Sequence, residues 1–187
     1  MYEVEVKYAL PDAAAFERQL ERFGGYFGEP AEEFDVFYRH PARNFADSDE
    51  CLRFRRRVLP DNSGECTLTY KGPKVDKQTK TRREIEIAVE SAAPWNELLT
   101  ALGFAPGETV YKQRRSCSVV FQGEPINTVL DFLPDLAERG GSGTFVELET
   151  FADDETLDAK RQVLLAFAEQ LGLTESIQKS YLALLTR

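Results

Sequence analysis

The chain has 187 residues with 42% hydrophobic content, thirteen Phe and a single Trp, a composition that suits one globular domain with a sizeable core. Its formal charge of -9 argues against a nucleic-acid partner, because phosphate backbones are held by net basic surfaces or stripes. Cys51, Cys66 and Cys117 are odd in number and form no CxxC, which suggests neither a disulfide framework nor a structural zinc and fits a reducing cytoplasm. No apolar run approaches the roughly 20 residues that span a bilayer, so no membrane is expected as a partner.

The opening MYEVEVKYAL reads as a strand that begins at once, without the basic and apolar regions of a leader. Pro11 and Asp12 then open an amphipathic helix in DAAAFERQLERFGG, with Phe16, Leu20 and Phe23 at helical spacing and Gly24/Gly25 as its stop. Strands are predicted at about 26–39, 50–59, 65–72 and 81–90, separated by Pro, Gly, Asn and Asp clusters. A helix over about 93–103 carries Trp95, Leu98, Leu99 and Leu102 as its apolar stripe. Four further strands fall at about 108–114, 116–122, 125–133 and 144–151, with a tight turn from Gln122 to Pro125. The last third is helical: one helix starts at Asp154 or Thr156 and ends near Gly172, and Thr174 opens another through IQKSYLALL. The fold class is α+β, with a weak pseudo-repeat and no linker that would divide residues 1–187.

Charge follows the strand period. Glu3/Glu5 in EVEVK, Glu84/Glu86 in RREIEIAVE and Glu147/Glu149 in TFVELET each place two carboxylates on one face of a strand, since residues i and i+2 share a side. Lys7 continues the first acidic face, Arg53 and Arg55 alternate with Leu52 and Phe54, and Arg82 shares parity with Glu84. Lys71 follows Thr67 and Thr69, Lys112 and Arg114 alternate through VYKQR, and Asp131 shares a face with Asn127 and Val129. Such strands either turn their charges to water or curl into a barrel with the charges inside and helices outside. Both signs crowd one face with little Ser, Thr or Gln among them, which favours the barrel; enclosing ions costs several kcal/mol each unless they are paired or meet a ligand.

Carboxylates without histidine are hard oxygen ligands suited to Mg²⁺ or Mn²⁺. Arginine and lysine opposite them would grip phosphate oxygens, and metal facing guanidinium groups is an arrangement for phosphoryl chemistry. The one histidine, His40, stands beside Pro41 in a loop and reads as structural. GGSG at Gly140–Gly143 lacks the Lys-Ser/Thr of a P-loop and reads as a flexible hairpin. Lys74, Lys77 and Lys80 in KGPKVDKQTK read as a solvated basic loop in preference to an active-site lid.

EVEVK at Glu3, Glu5 and Lys7 resembles the ExExK signature of the CYTH superfamily, the triphosphate tunnel metalloenzymes. The resemblance continues in chain order through LRFR (Arg53, Arg55), LTYKGP (Lys71), RREIE (Arg82, Glu84, Glu86), VYKQR (Lys112, Arg114), Asp131 and FVELE (Glu147, Glu149). It implies a closed eight-stranded antiparallel barrel, a tunnel whose charged lumen surrounds a triphosphate. The implied metal residues are Glu3, Glu5, Glu84, Glu86, Asp131, Glu147 and Glu149. The implied triphosphate-binding residues are Lys7, Arg53, Arg55, Lys71, Arg82, Lys112, Arg114 and, from a C-terminal helix, Lys179. DVFYRHPARNFADSDECLRFRRR and SYLALL look most like the class IV adenylyl cyclase branch, which implies cyclisation of ATP to cyclic AMP and pyrophosphate, and a homodimer. The alternatives are a triphosphatase acting on thiamine triphosphate, inorganic triphosphate or a nucleotide, and a non-catalytic polyphosphate-binding module.

Overall fold

A computed structural model of the protein describes residues 1–76 and 78–186; Lys77 of the basic loop lies outside the described residues. The elements are β1 (Tyr2–Ala9), α1 (Ala13–Leu20), β2 (Ala31–Arg39), α2 (Phe45–Ser48), β3 (Cys51–Val58), β4 (Gly64–Lys74), β5 (Arg82–Val89), α3 (Ala92–Ala101), β6 (Ala105–Phe121), β7 (Glu124–Phe132), α4 (Pro134–Glu138), β8 (Thr144–Ala152), α5 (Leu157–Gln170) and α6 (Tyr181–Leu185). The strands close into one antiparallel barrel in the order β1-β5-β4-β3-β2-β6-β7-β8. The expected closed eight-stranded barrel with helices around it is therefore what the chain forms.

Local chemistry accounts for the ends of the first helix. Asp12 caps α1 by accepting the Ala15 N–H at 2.9 Å, and the chain leaves the following 3₁₀ turn at Gly24, whose φ of 79° needs no Cβ accommodation. On one side of the barrel the outward residues of β1, β7 and β8, among them Val4, Val6, Ile126, Val146 and Leu148, pack under Leu20 of α1 and Leu164 and Phe167 of α5. A smaller cluster packs Tyr38, Phe54 and Leu68 against Leu99 of α3.

Three sequence readings change. The segments expected at 108–114 and 116–122 are a single strand, β6: its first half pairs with β2 and its second with β7. Arg115, at the expected break, is an outward residue that donates to Glu17 and to the Gly28 carbonyl. The last helix begins at Tyr181, not near Thr174. Before it the chain runs along β1, where Ile177 N–H donates to the Lys7 carbonyl at 2.7 Å. The short helices α2 and α4 have too few turns to display a period in sequence.

Closure at β1 is uneven. All eight of its residues register with β8, whereas β5 meets only Tyr2 and Glu3. Beyond Glu3 the β1 edge is completed by other segments: Lys80 N–H donates to the Glu5 carbonyl at 2.8 Å, and Ile177 follows at Lys7. Buried backbone groups need such partners, and here two connecting segments serve as strand.

Candidate functional site

The inward faces of the strands enclose a cavity of about 1250 Å³ lined by residues from both ends of the barrel. Registered neighbours on the inward face are mostly opposite in sign. Asp35 faces Arg55, Glu33 faces Lys112, Lys71 faces Glu84, Arg114 faces Asp131 and Lys7 faces Glu147. Directly opposed charges of unlike sign stabilise a sheet and like charges strain it.

Two registered pairs break that pattern. Lys74 faces Arg82 near the rim, and Asp49 lies between them, 3.0 Å from the lysine and 3.5 Å from the arginine. Glu5 faces Glu149, and with Glu3 these carboxylates bring oxygens within 4.8 Å of one another. Glu3 is held by Lys71, Glu5 by Lys80 at 2.8 Å, and Glu149 accepts from Asn127 at 2.9 Å. Burial first, and then the charges of Glu3, Glu147 and Glu5, lift Glu149 to about 8. Three hard oxygen donors that repel one another in a buried pocket fit a divalent cation such as Mg²⁺ or Mn²⁺.

The other expected metal residues divide. Glu147 lines the cavity but is engaged by Lys7 at 2.9 Å and Arg114 at 2.7 Å, and these cations overcome its burial to hold it well below the usual carboxylate range. Glu84 pairs with Lys71 at 3.1 Å, and Glu86, exposed, accepts from Thr69 at 3.1 Å. Asp131 is 0% exposed and does not line the cavity; its oxygens take two bonds from Arg114, at 2.7 and 2.5 Å, and one from Lys112 at 3.2 Å. In this geometry it aims a guanidinium.

The cations expected from the sequence converge, apart from Lys179. Lys7, Arg53, Arg55, Lys71, Lys112 and Arg114 all line the cavity, with Arg82 toward its rim. Lys179 is exposed on a bend ahead of α6 and outside the cavity lining, because the segment expected to be helical runs along β1 instead. From α6 the aromatic ring of Tyr181 enters in its stead, 3.4 Å below the Lys7 ammonium and 5.3 Å from that of Lys112. Burial above all depresses Lys7, to about 7, against the pull of Glu147.

Glu33 and Asp35 are not singled out by the sequence, although Glu33-x-Asp35 carries the same i, i+2 spacing as the three acidic pairs. Asp35 receives Arg55 through two bonds at 2.7 and 2.8 Å, and Glu33 lies 3.0 Å from Arg55 and 3.1 Å from Lys112. Burial would raise both carboxyls, but Arg53 and Arg55 hold Asp35 at about 2, and Lys112 and Arg114 hold Glu33 lower still. Arg55 thus enters the lumen on a fixed fork of carboxylate contacts. Lys80, expected in a solvated loop, is buried inside the cavity. No local signal marks it in sequence, since its partner Glu5 lies on β1. His40 is structural at its Nδ1, which accepts the backbone N–H groups of Ala42 and Arg43.

Residues 1–181 match the CYTH domain family. A Methanocaldococcus jannaschii protein named "Putative adenylate cyclase MJ0240" is 31% identical, over 98% of each chain. Among solved structures, the PH1819 protein of Pyrococcus horikoshii OT3 superposes with a TM-score of 0.82 at 32% identity, covering 98% of this chain and 97% of its own. A Vibrio parahaemolyticus protein described as "a putative adenylate cyclase" gives 0.80 at 26% identity over 100% and 99%. None of the described helices is long and apolar enough to cross a membrane. With its ordered acidic and basic strand motifs, its closed barrel and this match over nearly its whole length, the chain belongs to the CYTH family.

Proposed function

We propose that the protein is a divalent-metal-dependent enzyme that takes a triphosphate into its barrel, and that its reaction is that of class IV adenylyl cyclase, ATP to cyclic AMP and pyrophosphate. The observation that carries this reading is the facing pair Glu5 and Glu149 with Glu3 beside it, three carboxylates that gather at one point of a lumen otherwise rich in opposed charges. The cyclase names borne by the M. jannaschii and V. parahaemolyticus relatives support the choice of reaction. The cavity of about 1250 Å³ also has room for a nucleotide, since ordinary ligand pockets run to about 1,000 Å³.

In this reading Mg²⁺ or Mn²⁺ held by Glu3, Glu5 and Glu149 supplies charge neutralisation and polarises a phosphoryl oxygen. Arg55, braced by Glu33 and Asp35, and Arg114, braced by Asp131 and Glu147, present guanidinium groups to the triphosphate without having to be ordered at the moment of binding. Lys7 and Lys112 add ammonium charge above Tyr181. Cyclisation needs the ribose 3′-hydroxyl in line with the α-phosphorus: a new O–P bond forms as the bond to the β,γ-phosphates breaks, the hydroxyl proton passes to a phosphate oxygen or to water, and pyrophosphate leaves.

Hydrolysis of thiamine triphosphate, inorganic triphosphate or a nucleotide is the second reading. It is favoured by the fact that these lumen charges address phosphate or metal and do not select the bond that breaks. Phosphorus NMR with ATP and, separately, inorganic triphosphate, in Mg²⁺ and then Mn²⁺, tests both. Pyrophosphate with cyclic AMP upholds the cyclase reading; ADP with orthophosphate, or pyrophosphate from triphosphate, makes the protein a triphosphatase. Binding of triphosphate with no turnover in either metal would leave a polyphosphate-binding module.

A further inference from the structure

Between β4 and β5 the described residues 75–76 and 78–81 lie along the barrel seam as a strap. Thr79 and Thr81 are buried with their hydroxyls 2.6 Å apart. One oxygen of Asp76 accepts the N–H groups of Gln78, at 2.5 Å, and Thr79, at 3.1 Å, and its other oxygen is ion-paired with Arg161 of α5. The strap is thereby fastened to the outer helix on one side. On the other, Lys80 is fastened to β1 through its backbone N–H, which delivers a side chain only 7% exposed into the cavity.

That ammonium rests on Glu5, a member of the acidic cluster. The two lysines that hold this cluster differ in their alternatives. Lys71 bridges Glu3 and Glu84, so it keeps a carboxylate if Glu3 turns to a cation. Among the described residues, Lys80 has Glu5 alone within ion-pairing distance. A cation that takes the Glu5 oxygens leaves Lys80 buried, charged and pinned by its backbone, and a buried charge in that state requires a new partner. The other carboxylate that acts on it, Glu147, is already taken by Lys7 and Arg114, so the anion left to it is whatever occupies the cavity.

We propose that Lys80 is a further triphosphate-binding residue: it holds Glu5 in the metal-free protein and passes to a phosphate oxygen when a divalent cation binds the acidic cluster. The strap thus couples the metal site to the phosphate site through one side chain. This rests on the triphosphate reading above and adds to it a residue, an order and a sign.

The sign makes the inference testable without turnover. Removing the ammonium removes a competitor for Glu5, so Mn²⁺ alone binds more tightly. It also removes a phosphate contact, so triphosphate binds more weakly when Mn²⁺ is present. A lysine that served only to hold the strap in place would weaken both. Calorimetric titration of wild-type protein with inorganic triphosphate in Mn²⁺ comes first, and absence of binding there sinks the triphosphate reading itself. With wild-type binding in hand, Lys80→Met, which keeps the aliphatic stem, is expected to tighten Mn²⁺ alone about threefold or more and to weaken triphosphate about tenfold, the scale of one charge-assisted hydrogen bond. Triphosphate affinity within twofold of wild type, or weakening of both ligands, overturns the inference. If Lys80→Met shows no cooperative melting, Lys80→Arg decides. A forked guanidinium competes harder for Glu5, so Mn²⁺ alone should weaken at least about twofold while triphosphate stays within about threefold; unchanged Mn²⁺ affinity there also overturns it.

Discussion

The wall of β1, β7 and β8 and the wall of β3, β4 and β5 both turn charges into the lumen, but they are held in position by opposite means. Outside the first lie α1 and α5, and Val4, Val146 and Leu148 are wholly buried beneath them. Outside the second, Ile85 and Ile87 of β5 remain 43% and 46% exposed, and α3 covers only part of the surface. The acidic cluster of Glu3, Glu5 and Glu149 springs from the first wall, where packing from behind fixes three groups that repel each other. Arg53 and Arg55 spring from the second, where Glu33 and Asp35 steady them from within. Repelling groups need a scaffold that packing supplies; attracting groups brace one another.

Substitutions can break this contrast. Leu148→Ala should cost about 3 kcal/mol of folding stability by cavity formation under α5, read from urea unfolding; a loss near zero would deny that the first wall is held from outside. Glu149→Gln, if the wild type turns over, should lower the rate about a hundredfold, roughly 2.7 kcal/mol of barrier, while the barrel still melts cooperatively. The same variant carries a pH signature. Burial and the neighbouring acids raise the Glu149 carboxyl from its ordinary 4.5 to about 8, so the folded state binds that proton more tightly than the unfolded chain does. Metal-free wild type should then lose stability as pH climbs between those values, whereas Glu149→Gln should not. Melting curves that decline in parallel would remove Glu149 as the strained member of the cluster.

Arg55→Ala should weaken inorganic triphosphate binding by at least about 1.5 kcal/mol, since it deletes the fork that Glu33 and Asp35 orient; wild-type affinity by calorimetry would contradict the phosphate role of the second wall. The smallest effect is expected at Ile87→Ala, below about 1 kcal/mol because half of the side chain is already in water. A cost equal to that of Leu148→Ala would erase the difference between the walls.

What is legible in the sequence follows the same division. Strand residues with period two announce a face, so Glu3, Glu5, Arg53, Arg55, Lys112, Arg114 and Glu149 read as one charged face from their spacing, and as lumen groups through the family resemblance. Glu33 and Asp35 obey the same spacing but stand behind Glu32, and the run of acids resembles a solvated strand end. Lys80 has no local signature, because its burial is decided by β1, far away in the chain. Lys179 misleads for the converse reason: its helix-like surroundings are overridden when Ile177 pairs with β1. Asp131 reads correctly as a charged inward residue, yet which of two partners a carboxylate serves depends on the register of β6 against β7.

The edge of β1 has a consequence for how the molecule assembles. Lys7 faces Glu147 on one side and is hydrogen-bonded to Ile177 on the other, so a strand near the beginning of the sequence waits for segments near its end. During synthesis β2 to β6 can pair with neighbours already made, while β1 must remain without its β8 partner until most of the chain has emerged. Such non-local closure makes for slow folding and a vulnerable intermediate. Because β1 bears Glu3 and Glu5, the acidic cluster comes into being only with that final closure, and a half-made barrel lacks the grouped carboxylates.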